Sequence, residues 1–578
     1  MRKGYLGKKI ISMSLAGMMM LSLCACGSDK SDTTSVSEWI STENIKNTKN
    51  DTTLDYTVQD YPEAEDDFIM YDMAEESGAT YDMAINGVAA DVYYEDDDYY
   101  FGDEEFNTNE YNDLEENPWL SVKLSPLSTF AADVDTASYS QIRTNITNGY
   151  DIDPGMVRIE EMINYFHYDY ETPTGNDKFA VHMEYADCPW NEDTQLALVS
   201  LNTEKIDFSE APESNIVFLI DTSGSMFDDN KLPLVQQSMC MLAENLTAKD
   251  RVSIVTYAGG DEVVLEGAKG SDYYGISSAI EGLEAWGSTN GAAGIETAYQ
   301  IAEKYFIKGG NNRVILATDG DLNVGVTSES ALEQLITEKK ESGVFLSVIG
   351  VGYGNYKDNK LETLADKGNG NYAYIDSIYE AKKALVDDLG ANMVTVAKDV
   401  KLQVEFNPAL VKGYRLIGYE NRTMAAEDFN DDTKDGGEMG AGHSVTAIYE
   451  IIPVDSKMEV SSTDLKYSDG ADNEIYKEGA YNDELFTLRV RYKEPDEDDS
   501  KLMDFVCKTD SYSEDGSDNL RWAASVAAFG MYLKDSEYMG DTNKKLILTL
   551  AESVKDSKKD EYKQEYIDLV NEYFEELD

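Results

Sequence analysis

The middle of the chain alternates short apolar runs with longer amphipathic stretches. The apolar runs lie at 216–220, 251–257, 314–318 and 344–351, with a weaker one at 263–266. The amphipathic stretches have apolar residues at helical spacing and lie at 232–246, 276–285, 291–306, 328–342 and 378–392. Continuous Val, Ile and Leu runs that alternate with helices are typical of a mainly parallel sheet covered on both faces. We therefore predict an α/β domain over 211–392 with a doubly wound, Rossmann-like sheet.

A second pattern, with apolar residues at every other position, predicts β-strands on both sides of this domain. After it, the four alternate residues from Val400 to Phe406 share one face, and further strands are predicted at 445–452 and 488–492. Before it come strands at 179–185 and 195–202, which have too few neighbours to be stable as a lone pair. We therefore predict that they join the later strands in one β-sandwich, into which the α/β domain is inserted.

Helices are predicted at both ends of the ordered sequence. One covers 136–147, a second covers 157–166 after Pro154, and two more cover 520–534 and 544–577. Asp133 and Asp135 precede the first helix, and without a partner motif they predict a helix cap rather than a catalytic pair of carboxylates. The ordered chain is thus divided into 117–210, 211–392 and a β-rich region over 393–578 that ends in helices.

The first residues have the pattern of a bacterial secretion signal. Four basic residues precede the apolar run 10–23, which is too short and wrongly flanked for a stable membrane span. The run ends in Leu23-Cys24-Ala25-Cys26, which resembles a lipobox with a small residue before the acceptor cysteine. We predict a lipoprotein signal peptide over 1–25, lipidation of Cys26 and attachment to the extracytoplasmic face of the cell membrane. A plain secretory signal is the alternative, and Cys24 is the poorer acceptor because the bulky Leu23 precedes it.

The segment 26–116 is strongly acidic. No Lys or Arg occurs between Lys49 and Lys123, and the whole chain has a formal net charge of −64. Dense like charge without a periodic apolar face predicts a disordered tether, which could also be a docking segment or a weak calcium-binding tract. This acidity argues against nucleic acid as a partner. Apart from Cys24 and Cys26, the cysteines are Cys188, Cys240 and Cys507, an odd number that does not fit a disulfide framework.

Oxygen-bearing side chains follow three of the predicted elements. Asp221, Ser223 and Ser225 come directly after one strand, Thr289 lies in the loop after a helix, and Asp319 ends another strand. Because parallel α/β sheets bind ligands outside the carboxyl ends of their strands, we expect these side chains to converge there. Such hard donors with few charges suit Mg²⁺, or else Mn²⁺ or Ca²⁺. Each segment alone would also fit a helix cap or a turn, so only the full set predicts a metal site.

The same set resembles a known motif. The D-x-S-x-S run at 221–225, Thr289 and the T-D-G at 318–320 are similar to the metal-ion-dependent adhesion site of von Willebrand factor type A (VWA) domains. This resemblance implies that the two serines and the threonine contact the ion, while the two aspartates often act through water. It also implies that the carboxylate of a binding partner takes the open position on the ion.

The flanking regions resemble one class of bacterial VWA proteins, called YfbK-like. The resemblance rests on the segment 128–139 and the helices after it, and on the later segments 396–400, 414–422, 440–447 and 489–494. It extends over almost everything from Asn117 to the end of the chain. The biochemical role of that class is poorly defined, so the resemblance implies an architecture and no particular ligand.

Enzymatic interpretations of the aspartate motif fail. Ser223 interrupts the Asp-Thr-Gly of aspartic proteases and replaces the second acid of aspartyl phosphatases. The three histidines, His167, His182 and His443, are neither near a nucleophile motif nor at zinc spacing. We therefore expect a membrane-anchored binding protein, not an enzyme, whose partner is a protein or envelope component with a carboxylate. The alternative is an envelope assembly factor or hydrolase with activity outside the VWA region.

Overall fold

The computed structural model describes residues 115–577 apart from 133–134, 176, 207–210, 289–290, 321–328, 354–357, 389–393, 435, 461–480, 496 and 498. The described residues all belong to one compact unit, Tyr100–Asp578. The predicted signal peptide, Cys26 and the acidic tether up to residue 114 lie outside them. Within the described part, no helix is both long enough and apolar enough to cross a membrane.

Strands and helices are numbered here in chain order. The strands are β1 (Leu120–Ser121), β2 (Leu127–Ala131), β3 (Phe179–Asp187), β4 (Gln195–Thr203), β5 (Ser214–Asp221), β6 (Arg251–Tyr257), β7 (Asp261–Lys269), β8 (Asn311–Thr318), β9 (Phe345–Val351), β10 (Tyr372–Ile375), β11 (Thr395–Phe406), β12 (Val411–Ile417), β13 (Thr423–Met424), β14 (Gly437–Gly440), β15 (Ser444–Pro453), β16 (Glu484–Lys493) and β17 (Ser500–Lys508). The helices are α1 (Ala137–Asn148), α2 (Ile159–Asn164), α3 (Leu232–Glu244), α4 (Tyr273–Glu281), α5 (Gly291–Lys304), α6 (Glu329–Lys340), α7 (Asp358–Lys367), α8 (Ile378–Lys382), α9 (Asp518–Leu533), α10 (Lys544–Ser553) and α11 (Glu561–Leu577).

The central domain is the predicted α/β sheet. Its strand order is β10-β9-β8-β5-β6-β7, and every neighbouring pair is parallel except β6 with β7. Apolar side chains form a core on each face, one around Phe218 with α3 and α4 and one around Leu219 with α5 and α7. The predicted fold class is therefore confirmed. Strand β10 and helix α7 are additions that the apolar pattern did not predict.

Two antiparallel sheets form the sandwich around this domain. Their strand orders are β1-β12-β15-β4-β3 and β13-β2-β11-β16-β17, with β14 paired to β11. Strand β4 pairs with β15 from Gln195↔Ile451 to Asn202↔Ser444, so a strand that precedes the α/β domain is completed by one that follows it. The predicted insertion of the α/β domain into a β-sandwich is thereby confirmed.

A helical layer covers the outer face of the first sandwich sheet. Helices α1, α2, α9, α10 and α11 share an apolar core that includes Phe166, Trp522 and Tyr566 and reaches Leu198 and Ile448 of the sheet. The single helix predicted over 544–577 is wrong, because the chain breaks it into α10 and α11. Asp556 adopts a left-handed backbone with φ of 61°, and the Asp560 carboxylate then caps the amides that begin α11.

Two local predictions at the α/β domain also need correction. Asp135 does not cap α1, because its carboxylate accepts a hydrogen bond from the Tyr372 amide and pairs with Arg422. The first turn of α1 is instead capped by Glu161 of α2, which accepts from the Ser138 amide at 2.9 Å. The helix predicted over 378–392 begins as α8, widens into a π-helical turn at Lys383 and ends at Asp387.

Candidate metal centre

The predicted site lies at the carboxyl edge of the α/β sheet. Asp221 is the last residue of β5, and Thr318 is the last residue of the parallel neighbour β8. Both strands are buried along their length apart from the first residue of β8, so their ends deliver these side chains to one enclosed position. Asp319 follows at once and is also buried.

Asp221 is held at both carboxylate oxygens. The Ser223 amide donates to its Oδ1 at 2.9 Å, and the Thr318 hydroxyl donates to its Oδ2 at 3.0 Å. Burial is the largest of the effects that raise the pKa of Asp221 to about 6; the Ser223 hydrogen bonds act against it, and the charge of the nearby Asp319 acts with it. Asp221 is therefore a fixed acceptor whose negative charge lacks a full counter-charge from its protein neighbours.

The two serines meet above this aspartate. The hydroxyl oxygens of Ser223 and Ser225 lie 2.9 Å apart, across the first part of a 3₁₀ turn at Gly224–Phe227. Ser223 is buried, whereas Ser225 is exposed, so the pair leads from the interior to the surface. The turn thus places one buried and one solvent-exposed hydroxyl oxygen next to each other.

A second loop lies directly against the first. The Gly224 amide donates to the Gly287 carbonyl at 3.1 Å, and the Trp286 amide donates to the Thr222 carbonyl at 2.8 Å. Gly287 has φ of 92°, a left-handed conformation that glycine adopts without strain. Thr289, the predicted fifth ligand, lies outside the described residues, although the loop that leads to it reaches this position.

Lys231 is a member of the site that the strand-end pattern did not predict. Its ammonium donates to the Ser225 carbonyl at 2.9 Å and lies 3.1 Å from Asp319 Oδ2, with only 12% of the side chain exposed. The stem of Lys231 passes over Gly352, where an added Cβ would come within 2.5 Å of the lysine Cε. No sequence signal marks this lysine, because it precedes α3 and follows no apolar strand.

Tyr257 is another member that the sequence did not indicate. It is the last residue of β6, is fully buried, and lies beside Asp221 and Thr318. Burial raises the pKa of this tyrosine, and the charge of Asp221 raises it as well. Tyr257 therefore remains a neutral hydroxyl beneath the site and closes it from the side of the core.

The donor chemistry of the cluster fits a small divalent cation. It offers two carboxylates and two hydroxyls from Asp221, Asp319, Ser223 and Ser225, and oxygen-only sets of this kind suit Mg²⁺, Mn²⁺ or Ca²⁺. The Lys231 ammonium between Asp319 and the Ser225 carbonyl shows that this position accommodates positive charge. In the described residues, no group of three or more His, Cys, Asp or Glu could hold a metal ion, so hydroxyl oxygens are an essential part of this candidate.

Among the residues that the structure describes, the histidines and cysteines do not form a second centre of this kind. His167 pairs with Asp388, His182 pairs with Glu184 on β3, and His443 lies in the turn before β15. Cys188, Cys240 and Cys507 are free thiols, and the first and third are buried.

Comparison with known protein families matches three parts of the chain. Residues 215–388 match the family described as "von Willebrand factor type A domain", and residues 391–575 match "Uncharacterized protein YfbK, C-terminal". Residues 105–198 match a family described as "von Willebrand factor". The first match includes Asp221 to Ser225, Thr289 and Asp319 within its range.

Individual relatives were also found. The chain is 41% identical to "Uncharacterized protein YfbK" of Escherichia coli K12 over 470 residues, which are 80% of each protein. It is 29% identical over 172 residues to "Uncharacterized protein sll0103" of Synechocystis, covering 29% of this chain and 39% of that one. It is 26% identical over 147 residues to human inter-alpha-trypsin inhibitor heavy chain H4, covering 24% of this chain and 16% of that one.

Two solved structures are similar to different extents of the chain. A von Willebrand factor type A protein from Catenulispora acidiphila aligns with a TM-score of 0.40 and 17% identity, covering 68% of this chain and 90% of the other. Proximal thread matrix protein 1 of the mussel byssus, with zinc in its adhesion-site motif, aligns with a TM-score of 0.26 and 23% identity over 31% of this chain and 45% of the other.

Proposed function

The chain belongs to the YfbK family of von Willebrand factor type A proteins, and on this basis we propose that it is a lipid-anchored envelope protein that binds a partner through a divalent ion. Domains of this type mediate protein interactions, and they commonly hold the ion in a metal-ion-dependent adhesion site. The ligands proposed for this chain are Asp221, Ser223, Ser225, Thr289 and Asp319, and the proposed ion is Mg²⁺, with Mn²⁺ or Ca²⁺ as alternatives.

One observation carries the proposal. The Ser223 amide donates to Asp221, the Ser223 and Ser225 hydroxyls are hydrogen-bonded to each other, and Lys231 links Asp319 to the Ser225 carbonyl at the same edge. A structure in which these segments merely capped helices would not need two buried aspartates this close to one another. A divalent ion would neutralise both carboxylates, which explains why the fold tolerates their burial.

Each residue has a distinct part in the proposed site. Ser223 and Ser225 would contact the ion directly, and Thr289 would approach it from the second loop. Asp221 and Asp319 supply the negative charge, and Thr318 fixes Asp221 through the bond to its Oδ2. When bound, the ion acts as a Lewis acid with an open position that a partner's carboxylate can occupy.

Attachment to the membrane is proposed from the sequence alone. Lipidation of Cys26 would anchor the chain, and the acidic segment 26–116 would separate the folded unit from the membrane surface. For a flexible chain of this length, random-coil scaling gives an end-to-end distance of roughly 50 Å, and charge repulsion would extend it. The candidate site would therefore reach partners well beyond the lipid headgroups.

Calorimetric titration of the full chain with MgCl₂ tests the proposed ion. We expect binding by the wild-type chain and no measurable binding by Asp221→Asn, which keeps the shape of the side chain and removes its charge. Asp504→Asn on the exposed strand β17 makes the same chemical change away from the site and should bind like the wild type. Unchanged Mg²⁺ binding by Asp221→Asn would rule out the proposed site.

A further inference from the structure

Two exposed aromatic side chains flank the candidate metal centre. Phe227 lies two residues after Ser225, and Trp286 is attached by its backbone to the Thr222 carbonyl at 2.8 Å. Each of the two is 77% exposed. Phe227 and Trp286, which we call the aromatic rim, therefore place large apolar groups in water on both loops that border the site.

The exposure of Trp286 is specific to this site and is not shared by the other tryptophans in the described residues. Four tryptophans lie in the described part of the chain. Trp190 and Trp522 are buried in the helical layer, and Trp119 is partly buried near the Arg415 guanidinium. Only Trp286 among these four projects into solvent. Tryptophan is the residue most enriched at binding hot spots, where its surface becomes buried against a partner.

The surface around the aromatic rim is negatively charged. Asp228 and Asp229 follow Phe227 and are exposed, and Glu284 is exposed two residues before Trp286. Lys231 is the nearest basic residue along this loop; its ammonium donates to Ser225 and Asp319 and lies 3.9 Å from Asp228 Oδ2, so Asp229 and Glu284 are the acids farther from it along the two loops. The site thus combines a proposed cation, apolar groups beside it and a border of acids.

We propose that the aromatic rim selects a protein segment in which one carboxylate is flanked by bulky apolar side chains and by Lys or Arg. The inference rests on the proposed function, because the carboxylate would complete the ion held by Asp221. The apolar side chains would cover Phe227 and Trp286, and the basic residues would face Asp228, Asp229 and Glu284.

The negative charge around the site favours a protein segment over an acidic polysaccharide as the ligand. Such a polymer repeats its negative charge along its length, so it would place further carboxylates against Asp228 and Glu284. Like charges at an interface oppose association. A polypeptide can place a single carboxylate at the ion and a positive charge a few residues away, which fits the observed distribution.

The test begins with a displayed library of random peptides selected on the full chain in the presence of MgCl₂. We expect enrichment of sequences with Asp or Glu next to large apolar residues and with Lys or Arg nearby. The best peptide is then titrated against variants. Phe227→Ser and Trp286→Ser are each expected to weaken its binding by about 30-fold, as expected for hot-spot residues.

Tyr274→Ser is the matched control. Tyr274 is 85% exposed and lies in the first turn of α4. That turn follows Lys269 of β7, which pairs with Arg251 at the opposite edge of the sheet from Asp221. Tyr274→Ser should therefore change peptide affinity by less than about twofold. Calorimetry with MgCl₂ should give wild-type ion affinity for Phe227→Ser and Trp286→Ser, which shows that the fold and the ion site are intact.

The outcomes separate this inference from the proposed function. If Asp221→Asn abolishes peptide binding but both aromatic-rim variants bind within twofold of wild type, the aromatic rim has no selective role and the ion site stands. If the peptide binds Asp221→Asn like the wild type, the proposed function fails. If the library gives no Mg²⁺-dependent peptide, or if polygalacturonate binds with the same dependence on Trp286, the protein-segment partner is overturned.

Discussion

The Lys231 ammonium lies 3.1 Å from Asp319 Oδ2, so the candidate metal centre contains a cation from its own chain. A positive charge this close to a proposed ligand repels a divalent ion and competes for the same carboxylate.

The first prediction follows from this pair. Lys231→Met removes the charge and keeps the apolar stem, and it is expected to tighten Mg²⁺ binding by about tenfold because repulsion is relieved. Calorimetric titration measures the affinity. Lys249→Met, at an exposed lysine before β6 on the opposite edge of the sheet, should leave it unchanged. Weaker binding by Lys231→Met would mean that the lysine mainly holds Asp319 in place.

The second prediction concerns the contact between α1 and the end of the α/β domain. One Arg143 nitrogen lies 2.7 Å from both Asp376 Oδ1 and Glu380 Oε2, and these three side chains are 13%, 10% and 2% exposed. Arg143→Met removes the guanidinium from two largely buried carboxylates, so it should lower the free energy of unfolding by roughly 3–5 kcal/mol. Urea denaturation followed by circular dichroism measures the change.

A surface arginine provides the comparison for that experiment. Arg489 pairs with Glu405 at 2.6 Å, but these side chains are 32% and 45% exposed. Because water screens such pairs, Arg489→Met should cost at most about 1 kcal/mol. Equal losses for the two variants would contradict the structural importance assigned to Arg143.

The third prediction concerns His443, which lines a cavity of about 70 Å³ together with Tyr372, Glu380 and Lys383. The pKa of His443 is lowered to about 4, chiefly by burial; the charge of Asp388 opposes this shift, and Lys383 and His167 add to it. In the unfolded chain, His443 becomes protonated below about pH 6.5. In the folded chain, it becomes protonated only at about pH 4. The stability that depends on neutral His443 is therefore fully present above the unfolded pKa. It falls as the pH drops from the unfolded pKa to the folded pKa.

The expected size of this effect is a loss of about 2 kcal/mol in the free energy of unfolding between pH 7 and pH 5. Urea denaturation at both pH values gives the difference. His443→Gln should remove this part of the pH dependence, whereas His182→Gln on β3 should retain it. If His443→Gln lost as much stability as the wild type over this interval, another group would be responsible.

The fourth prediction concerns the membrane anchor. Cys26→Ser removes the proposed lipid acceptor, so the chain should move from the membrane fraction to the soluble extracytoplasmic fraction. Cys24→Ser is the matched control and should remain with the membrane. Fractionation followed by immunoblotting measures both, and retention of the Cys26→Ser chain in the membrane would contradict lipid anchoring at this residue.

The fold could be predicted largely because buried parallel strands leave unbroken apolar runs, as in β5 and β8. Strand β10 was missed because it has only four residues, two of them tyrosines, and directly follows Asn371. The end of α10 was missed because no Gly or Pro occurs between Ser553 and Glu561. That break depends on the left-handed conformation of Asp556, which a helical charge pattern does not reveal.

Some residues of the candidate site can be predicted from the local sequence, whereas others depend on which elements become neighbours in the fold. Asp221, Ser223, Ser225 and Asp319 could be predicted to converge because strand ends in a parallel sheet meet at one edge. The contributions of Lys231 and Tyr257 could not be predicted. Lys231 reaches the site only because its stem crosses Gly352, and Tyr257 reaches it only because β6 pairs with β5. Both depend on which elements become neighbours in the folded chain.

The pairing of β4 with β15 also determines the order in which the chain can fold. Ala197 is synthesised long before Tyr449, its partner across the ladder, so the first sandwich sheet cannot close until most of the chain has been made. The α/β domain between them is complete earlier and has its own two cores. Contacts between residues so distant in sequence form slowly, and domains generally fold as units during synthesis. The α/β domain should therefore fold first and bring the two halves of the sandwich within reach of each other.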